Sequence, residues 1–509
     1  MSSLIDSILA ARRCGTPLLS VSTPDQPEFT KAAAAEVGPV PAVQWDRAEG
    51  FRAINDEGAQ ALADLPIGQE ELAVTSPDPL QAMRLSLKLK KRSVVFAHNL
   101  QRFFREDSPG PTIQAVSNLR DPFKTDGRTL VMMAPDVDLP TELRHDVVTL
   151  DDPLPEDDGY AKIVRDIYDS FAKNKKSETT ANEDTVTSAV SAVRGLSSFR
   201  ADQVVAMSFD LKAGRLDLDA LWQHKVAAVS QTPGLAMTRT GPPLADLRGL
   251  DSVVAMLQDL FTGPMRPNLV VRVDEVDKAM SGLGSRGGPG DNTGVSQDIH
   301  SQFLTTMEDN SWTGAILFGV RGAGKTVLTQ AIGAAYGVPT IAADLGAMKG
   351  GIVGESERNV RDAFRMIKSI GRDRVVVLAT CNEMAMLRPE FLRRFKLGVW
   401  YFDLLEEDER RALWRVYLKR YGLDPKSDLP EDDGWTGAEI RNCCELSHAL
   451  GKTPAQIGPK YIVPVGRSDA NGISEMRRQA EGRYLSVSKS GPYRNAVDRV
   501  AGEAGRKFN

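Results

Sequence analysis

Cysteine is scarce: 509 residues hold only Cys14, Cys381, Cys443 and Cys444. No two of them have Cys-x-x-Cys spacing and none stands beside a histidine at metal-ligand distance, so the chain offers neither a disulfide framework nor a thiolate metal site. That usage fits a reducing, cytoplasm-like compartment. The adjacent pair Cys443-Cys444 on a helix points in two directions and is expected to pack in a core rather than chelate. Histidine is as sparse, and His98, His145, His224, His300 and His448 are isolated from one another, so none is assigned chemistry. No run approaches the roughly 20 apolar residues of a membrane span, and Met1–Arg13 carries its charges after its apolar stretch, as an amphipathic helix does and a signal peptide does not. A strong charge of one sign is also missing. With 63 basic and 68 acidic residues the net charge is −5, which argues against a general binder of nucleic acid or membrane surfaces.

The length allows three or four folding units at roughly one per 150 residues. Residues 1 to 160 alternate apolar strands (Pro17–Ser22, Ser93–Ala97, Arg128–Met133) with helical patterns, which predicts an α/β layer with a mainly parallel sheet. Residues 161 to 239 read as a helical, lid-like region and linker containing the polar stretch Lys173–Thr180. A second α/β unit is expected over 240 to 405, a helical lid over 406 to 455, and a tail over 456 to 509, richer in Gly, Lys and Arg, that frays at its end.

The most informative segment is Gly319-Val320-Arg321-Gly322-Ala323-Gly324-Lys325-Thr326, which follows the apolar run Gly314–Phe318 and opens a helical pattern. This is a Walker A phosphate loop in its full strand, loop and helix context. Its glycines let backbone N–H groups face a phosphate, Lys325 reaches the β and γ oxygens, and the Thr326 hydroxyl is offered to Mg²⁺, with Val327 continuing into the helix. Such a loop needs an acidic partner at a strand end. Downstream, Arg374–Asn382 has the strand but no acid, and Asp403 reads as a strand-end residue before a helix start. Upstream, Asn268–Lys278 supplies Asp274 and Glu275 at the end of an apolar strand, broken by Arg272, which the sequence leaves unexplained. The first half has Ser22–Pro27 where a phosphate loop would stand and His98-Asn99 where the acids would stand, so it is expected to be nucleotide-free.

Over residues 240 to 450 the chain resembles the AAA ATPases of the AAA+ superfamily. Val353–Arg361 is similar to the segment before that family's second core helix, Thr380–Asn382 to sensor 1, Thr436–Ile440 to the start of the lid helix, and Leu392–Phe395 to the arginine-finger region. The acid strand follows the Glu-Ser-Glu segment in that family and here precedes Walker A. The resemblance therefore implies a P-loop AAA+ core with permuted strand order and a helical lid, preceded by a degenerate nucleotide-free α/β domain. Given the family's sheet, moving that unit forward leaves each crossover right-handed, so the same site can form.

The resemblance implies ATP and Mg²⁺ as ligands. It gives Asp274 and Thr326 to the metal, Glu275 to the attacking water, Asn382 to that water or the γ-phosphate, and Arg394 to the nucleotide of a neighbouring subunit. Adenine would lie near Ala245–Leu250, including Gly249. Lys396-Leu397-Gly398-Val399 replaces the family's usual second arginine. Met348–Gly354 would supply a pore loop in which Met348 or Ile352 stands in for an aromatic residue, which favours a remodeller or switch over a processive unfoldase. Ser281–Asn292 reads as a mobile loop.

The N-terminal stretches Val43–Gly50, Leu130–Pro135, Asp138–Leu143 and Val147–Pro155, with Ile462–Val465 and Met476–Ala480 near the end, are similar to the hypothetical-reading-frame AAA ATPases of chloroplasts and cyanobacteria. The reading is a magnesium-dependent ATPase assembling into a ring, a hexamer, that remodels or regulates a macromolecular partner in the cytoplasm or a plastid stroma. Its rivals are a non-hydrolysing ATP-dependent scaffold and a nucleic-acid motor or loader.

Overall fold

The computed structural model describes residues 2–104, 110–135, 137, 139–175, 181–277, 295–348, 355–387 and 389–495. The loop Ser281–Asn292, the pore-loop residue Ile352 and the end of the tail from 496 lie outside them. The chain divides into two compact units, 1–221 and 222–509.

The first unit is built on six strands, β1 (Leu18–Ser22), β2 (Ala42–Asp46), β3 (Gly50–Ala53), β4 (Val94–His98), β5 (Thr129–Ala134) and β6 (Val148–Asp151), in the order β3-β2-β4-β5-β1-β6. Every pair is parallel except β2 with β3. Continuous apolar runs such as Leu18–Val21 and Thr129–Ala134 are buried along their whole length, as strands covered on both faces must be. Alternate side chains accordingly serve two cores. Trp45, Val95 and Met132 join one, and Phe29, Phe96 and Met133 the other.

Trp45 is wholly buried and its indole N–H donates to the Ser76 carbonyl at 2.6 Å, which identifies it as a core aromatic. Asp46 beside it accepts from the N–H groups of Ala48 and Glu49 and so holds the turn into β3. Helices Asp157–Lys175, Glu183–Val193 and Ser198–Met207 follow, with the Tyr160 hydroxyl donating to the Leu196 carbonyl at 2.7 Å. A short ribbon of β7 (Phe209–Asp210) and β8 (Arg215–Leu216) completes the unit.

Among its described residues the second unit holds a sheet of seven strands: β9 (Leu235–Thr238), β10 (Leu269–Val273), β11 (Thr313–Gly319), β12 (Thr340–Ala343), β13 (Val375–Cys381), β14 (Val399–Phe402) and β15 (Leu485–Ser486). Their order is β15-β14-β11-β13-β10-β12-β9. All neighbours run parallel except the edge pair β12–β9. This sheet reaches further along the chain than an α/β core of 240 to 405. Its antiparallel edge begins at Leu235, and the tail returns to add β15 beside β14, so residues 456–495 are folded structure rather than a loose end.

The lid starts at helix Glu407–Arg420, whose capping box joins Glu406 and Glu409. It continues in helix Gly437–Leu450, where Thr436 and Glu439 cap the start and Gly451 at φ 62° ends it. Cys443 and Cys444 are buried in the lid's own core with Trp414 and Trp435. None of the helices among the described residues is long and apolar enough to cross a membrane.

Candidate nucleotide-binding site

Strand β11 is buried nearly throughout and delivers the chain into the loop at Gly319. Gly319 has φ 139°, and a Cβ there would stand 2.1 Å from the Phe402 carbonyl oxygen, so only glycine lets β11 turn this close to β14. Gly324 at φ 96° precedes helix Lys325–Ala335 and turns that helix's unpaired N–H groups onto the loop. Lys325 is only 8% exposed, and its Nζ donates to the carbonyls of Gly319 at 2.6 Å and Val320 at 3.0 Å. Burial is the largest influence on it and pulls the ammonium down to about 8, against the opposing charges of Asp277 and Glu275.

The acids arrive on β10, two strands from β11, with β13 between them. Glu275 has φ 50°, a conformation a side chain of this size rarely adopts. Its N–H donates to the Thr380 hydroxyl at 2.9 Å, and that hydroxyl donates to Asp274 Oδ1 at 3.3 Å. Thr380 thereby fixes both acids from the neighbouring strand. Asn382 Nδ2 lies 3.5 Å from Glu275 Oε1, at the limit of hydrogen-bond reach, and the Asn382 N–H donates to Asp277 Oδ1 at 3.4 Å. Cys381 between Thr380 and Asn382 is buried and pushed up to about 12, which keeps it a neutral thiol.

These groups face one cavity of about 660 Å³, lined by the loop from Arg321 to Val327, by Asp274 and Glu275, and by Thr380 and Asn382. Leu413 and Tyr417 enter from the first lid helix, and Gly437, Ala438 and Arg441 from the second. The lid start rests directly on the phosphate loop, because the Ala438 N–H donates to the Gly322 carbonyl at 3.2 Å. Asp246, Leu247, Arg248 and Leu250 close another side. Gly249 does not line this cavity. Its φ of 69° turns it toward the lid, where a Cβ would meet Leu405 at 2.7 Å, and it borders a neighbouring cavity instead. Gly319 and Val320 stand behind the loop as acceptors for Lys325 rather than on the cavity wall.

Arg394 also lies outside the cavity lining, at the end of the short helix Pro389–Leu392, and forms an ion pair with Glu308. Asp403 belongs to the neighbouring cavity. It accepts from Arg477 Nε at 3.0 Å and from the Tyr493 hydroxyl at 2.6 Å, so it ties the tail to β14. Arg272, unexplained by the sequence, sits with Nε 2.8 Å from Asp274 Oδ2.

The donor set suits magnesium. Among the described residues no three His, Cys, Asp or Glu side chains gather into a metal cage, and the cavity instead offers the Thr326 hydroxyl and the Asp274 carboxylate, two hard oxygen donors. Magnesium is typically held this way, by one or two protein oxygens together with substrate phosphates.

Two residues escaped the sequence reading. Asp277 is 7% exposed and fixes the Asn382 turn, and its signal was a third acid two residues beyond Glu275. Arg441 reaches the cavity from the lid, and its signal was the spacing 437, 438, 441 on one helix face.

Residues 1–151 match the SpoVK-like AAA ATPase N-terminal domain, and residues 315–373 match the ATPase family associated with various cellular activities, AAA. The chain is 22% identical to the uncharacterized AAA domain-containing protein ycf46 of Guillardia theta, over 87% of this chain and 88% of that protein. It is 21% identical to the protein of the same name from Pyropia yezoensis, over 74% of this chain and 80% of that one. The phosphate loop, the strand-end acids and the lid around one cavity agree with these two matches, which place AAA ATPase domains over residues 1–151 and 315–373.

Proposed function

We propose that this chain is a magnesium-dependent ATP hydrolase that works as a ring of identical copies, a hexamer, and remodels or regulates a macromolecular partner. The observation that carries hydrolysis is the convergence of Lys325, Thr326, Asp274, Glu275 and Asn382 on one cavity, with Thr380 fixing both acids. Lys325 and the loop N–H groups hold the β and γ phosphates. Thr326 and Asp274 would hold the metal, which when bound would neutralise phosphate charge. Glu275 takes the proton of the attacking water, and Asn382, within reach of Glu275, orients that water.

Arg394 acts on the nucleotide of the neighbouring copy, which its absence from its own cavity lining supports. The module is a permuted AAA+ core, in which the acid strand comes before the phosphate loop in the chain yet stands two strands from it in the sheet. The first unit, with a neutral Gln at a helix start and His and Asn at a strand end, serves partner recognition. The four cysteines are all free, as in a reducing, cytoplasm-like compartment.

Turnover per chain measured against protein concentration, with assembly followed in the same samples, tests this reading. It should rise as assembly proceeds, and fall roughly 100-fold or more in Arg394→Ala while the ring persists. Glu275→Gln should keep ATP binding and lose turnover by about 100-fold, whereas Asp403→Asn should turn over normally. Tight ATP binding without turnover in any assembled state would replace hydrolysis with a nucleotide-gated scaffold.

A further inference from the structure

Arg272 interrupts an otherwise apolar strand, which ends at Val273 immediately before Asp274. A guanidinium is costly to place there. Its side chain is 14% exposed, its neighbours across the sheet are Ala342 and Leu378, and the cheaper choice at such a position is another valine. The contact that accompanies this cost is with Asp274. Nε lies 2.8 Å from Oδ2, yet its N–H is not aimed along that line and finds no hydrogen-bond acceptor. The interaction is therefore one of charge, with a buried donor left over. Thr380 meanwhile occupies Oδ1 of the same carboxylate. Both oxygens of the acid assigned to the metal are thus engaged by the protein itself, one of them by a full positive charge.

We propose that Arg272 is a built-in counter-ion to Asp274 that competes with the divalent cation, so that the site takes metal only together with nucleotide phosphates. The inference rests on the assignment of Asp274 to the metal made above. A carboxylate has about four acceptor positions and Thr380 takes one, so others remain for metal-bound water when nucleotide arrives. The charge of the carboxylate, however, is already balanced by the guanidinium, and a dication beside an arginine meets repulsion in a partly buried site. Metal free in solution is thereby refused, while a metal delivered with its own phosphate ligands is accepted. Arg272 is in this sense a positioning residue. It is not among the residues that line the cavity, and it acts through Asp274.

The test uses the full chain and Mn²⁺ as the probe, with Mn²⁺ affinity measured by electron paramagnetic resonance in the presence and absence of ADP. Binding of a fluorescent ADP in EDTA is recorded in parallel. Arg272→Met and Arg272→Gln are each expected to tighten Mn²⁺ about tenfold with ADP and to reveal Mn²⁺ binding without it, while Arg272→Lys stays within about threefold of the wild type. Adding Asp274→Asn to Arg272→Met should erase the gain. A merely structural arginine predicts the opposite direction, since its loss would loosen the acid and weaken metal binding.

Unchanged or weaker Mn²⁺ binding in both Arg272→Met and Arg272→Gln, with normal ADP binding in EDTA, overturns the inference and leaves the nucleotide site standing. Failure of the wild type to bind ADP at all would instead overturn the proposed function. Normal Mn²⁺ binding by Asp274→Asn in the wild-type background would overturn the assignment of Asp274.

Discussion

Set side by side, the two sheets of this chain have the same neighbour order: β6-β1-β5-β4-β2-β3 in the first unit and β14-β11-β13-β10-β12-β9 in the second, leaving the short tail strand β15 aside. Each closes on an antiparallel pair, β2 with β3 and β12 with β9. The chain threads them differently, because β1 precedes β4 in the first and β10 precedes β11 in the second. Spatial order therefore survives a change in chain order, and the chemistry depends on what stands at a few strand ends.

At the corresponding places the first unit carries Ser22–Pro27 for the phosphate loop, Gln26 for Lys325 as the first helical residue, and His98-Asn99 for Asp274-Glu275. Gln26 Nε2 donates to Asn99 Oδ1 at 3.0 Å and Thr30 Oγ1 lies 3.0 Å from His98 Nε2. Neutral groups close the first site upon themselves. In the second, ionised groups of both signs surround a cavity.

The largest expected effect tests that contrast. Lys325→Ala should cost at least about 100-fold in ATP affinity by removing the one ammonium the loop encloses, while Gln26→Ala leaves the ATP affinity of the chain unchanged. Calorimetric titration of both variants decides it. A comparable loss from Gln26→Ala would mean that the first unit holds nucleotide too, and the comparison would fail.

A smaller effect comes from pH. Burial lowers Lys325 from the ordinary 10.5 to about 8, and bound phosphate favours its charged form. Below pH 8 the ammonium is present, so ATP affinity should be flat. Above it, affinity should fall by up to about tenfold per pH unit until the lysine titrates in the complex as well. Stability moves the other way. Between 8 and 10.5 the unfolded chain keeps a proton that the folded chain has lost, so through this group the nucleotide-free protein gains stability as pH rises. Affinity that stays level from pH 8 to 9.5 would show that Lys325 remains charged in the free loop.

What was legible in the sequence follows from how local the physics is. Gly319–Thr326 was readable because the glycines, the lysine and the helix start are consecutive, and Asp274-Glu275 because acids ending an apolar run are conspicuous. The polar end of β4 was readable for the same reason, as an absence of acid. Arg441 was not, because its place depends on how the lid rests on Gly322. The two-residue strand β15 and the latch of Arg477 and Tyr493 on Asp403 were hidden too. Two residues carry no periodicity, and such a latch joins positions 74 and 90 apart in the chain.

The last contrast is the smallest in energy and the most specific. Both units turn the chain with a positive φ just past the corresponding strand, 55° at Asn99 and 50° at Glu275. In each, the N–H of that residue is caught from the next strand, by the Met133 carbonyl at 2.7 Å and by the Thr380 hydroxyl at 2.9 Å. Asparagine tolerates this region and glutamate does not, so the second unit holds strain of about 1 kcal/mol where the first holds little. Glu275→Gly should therefore raise unfolding stability by about 1 kcal/mol while abolishing turnover, and Asn99→Gly should change stability by less than about 0.5 kcal/mol. Denaturant melts of both variants measure the difference. If Glu275→Gly proves no more stable than the wild type, then the side-chain contact with Asn382, which the variant loses, offsets the backbone cost. The acid would then be held in place by its partners without stored strain, and the two turns would differ only in side-chain chemistry.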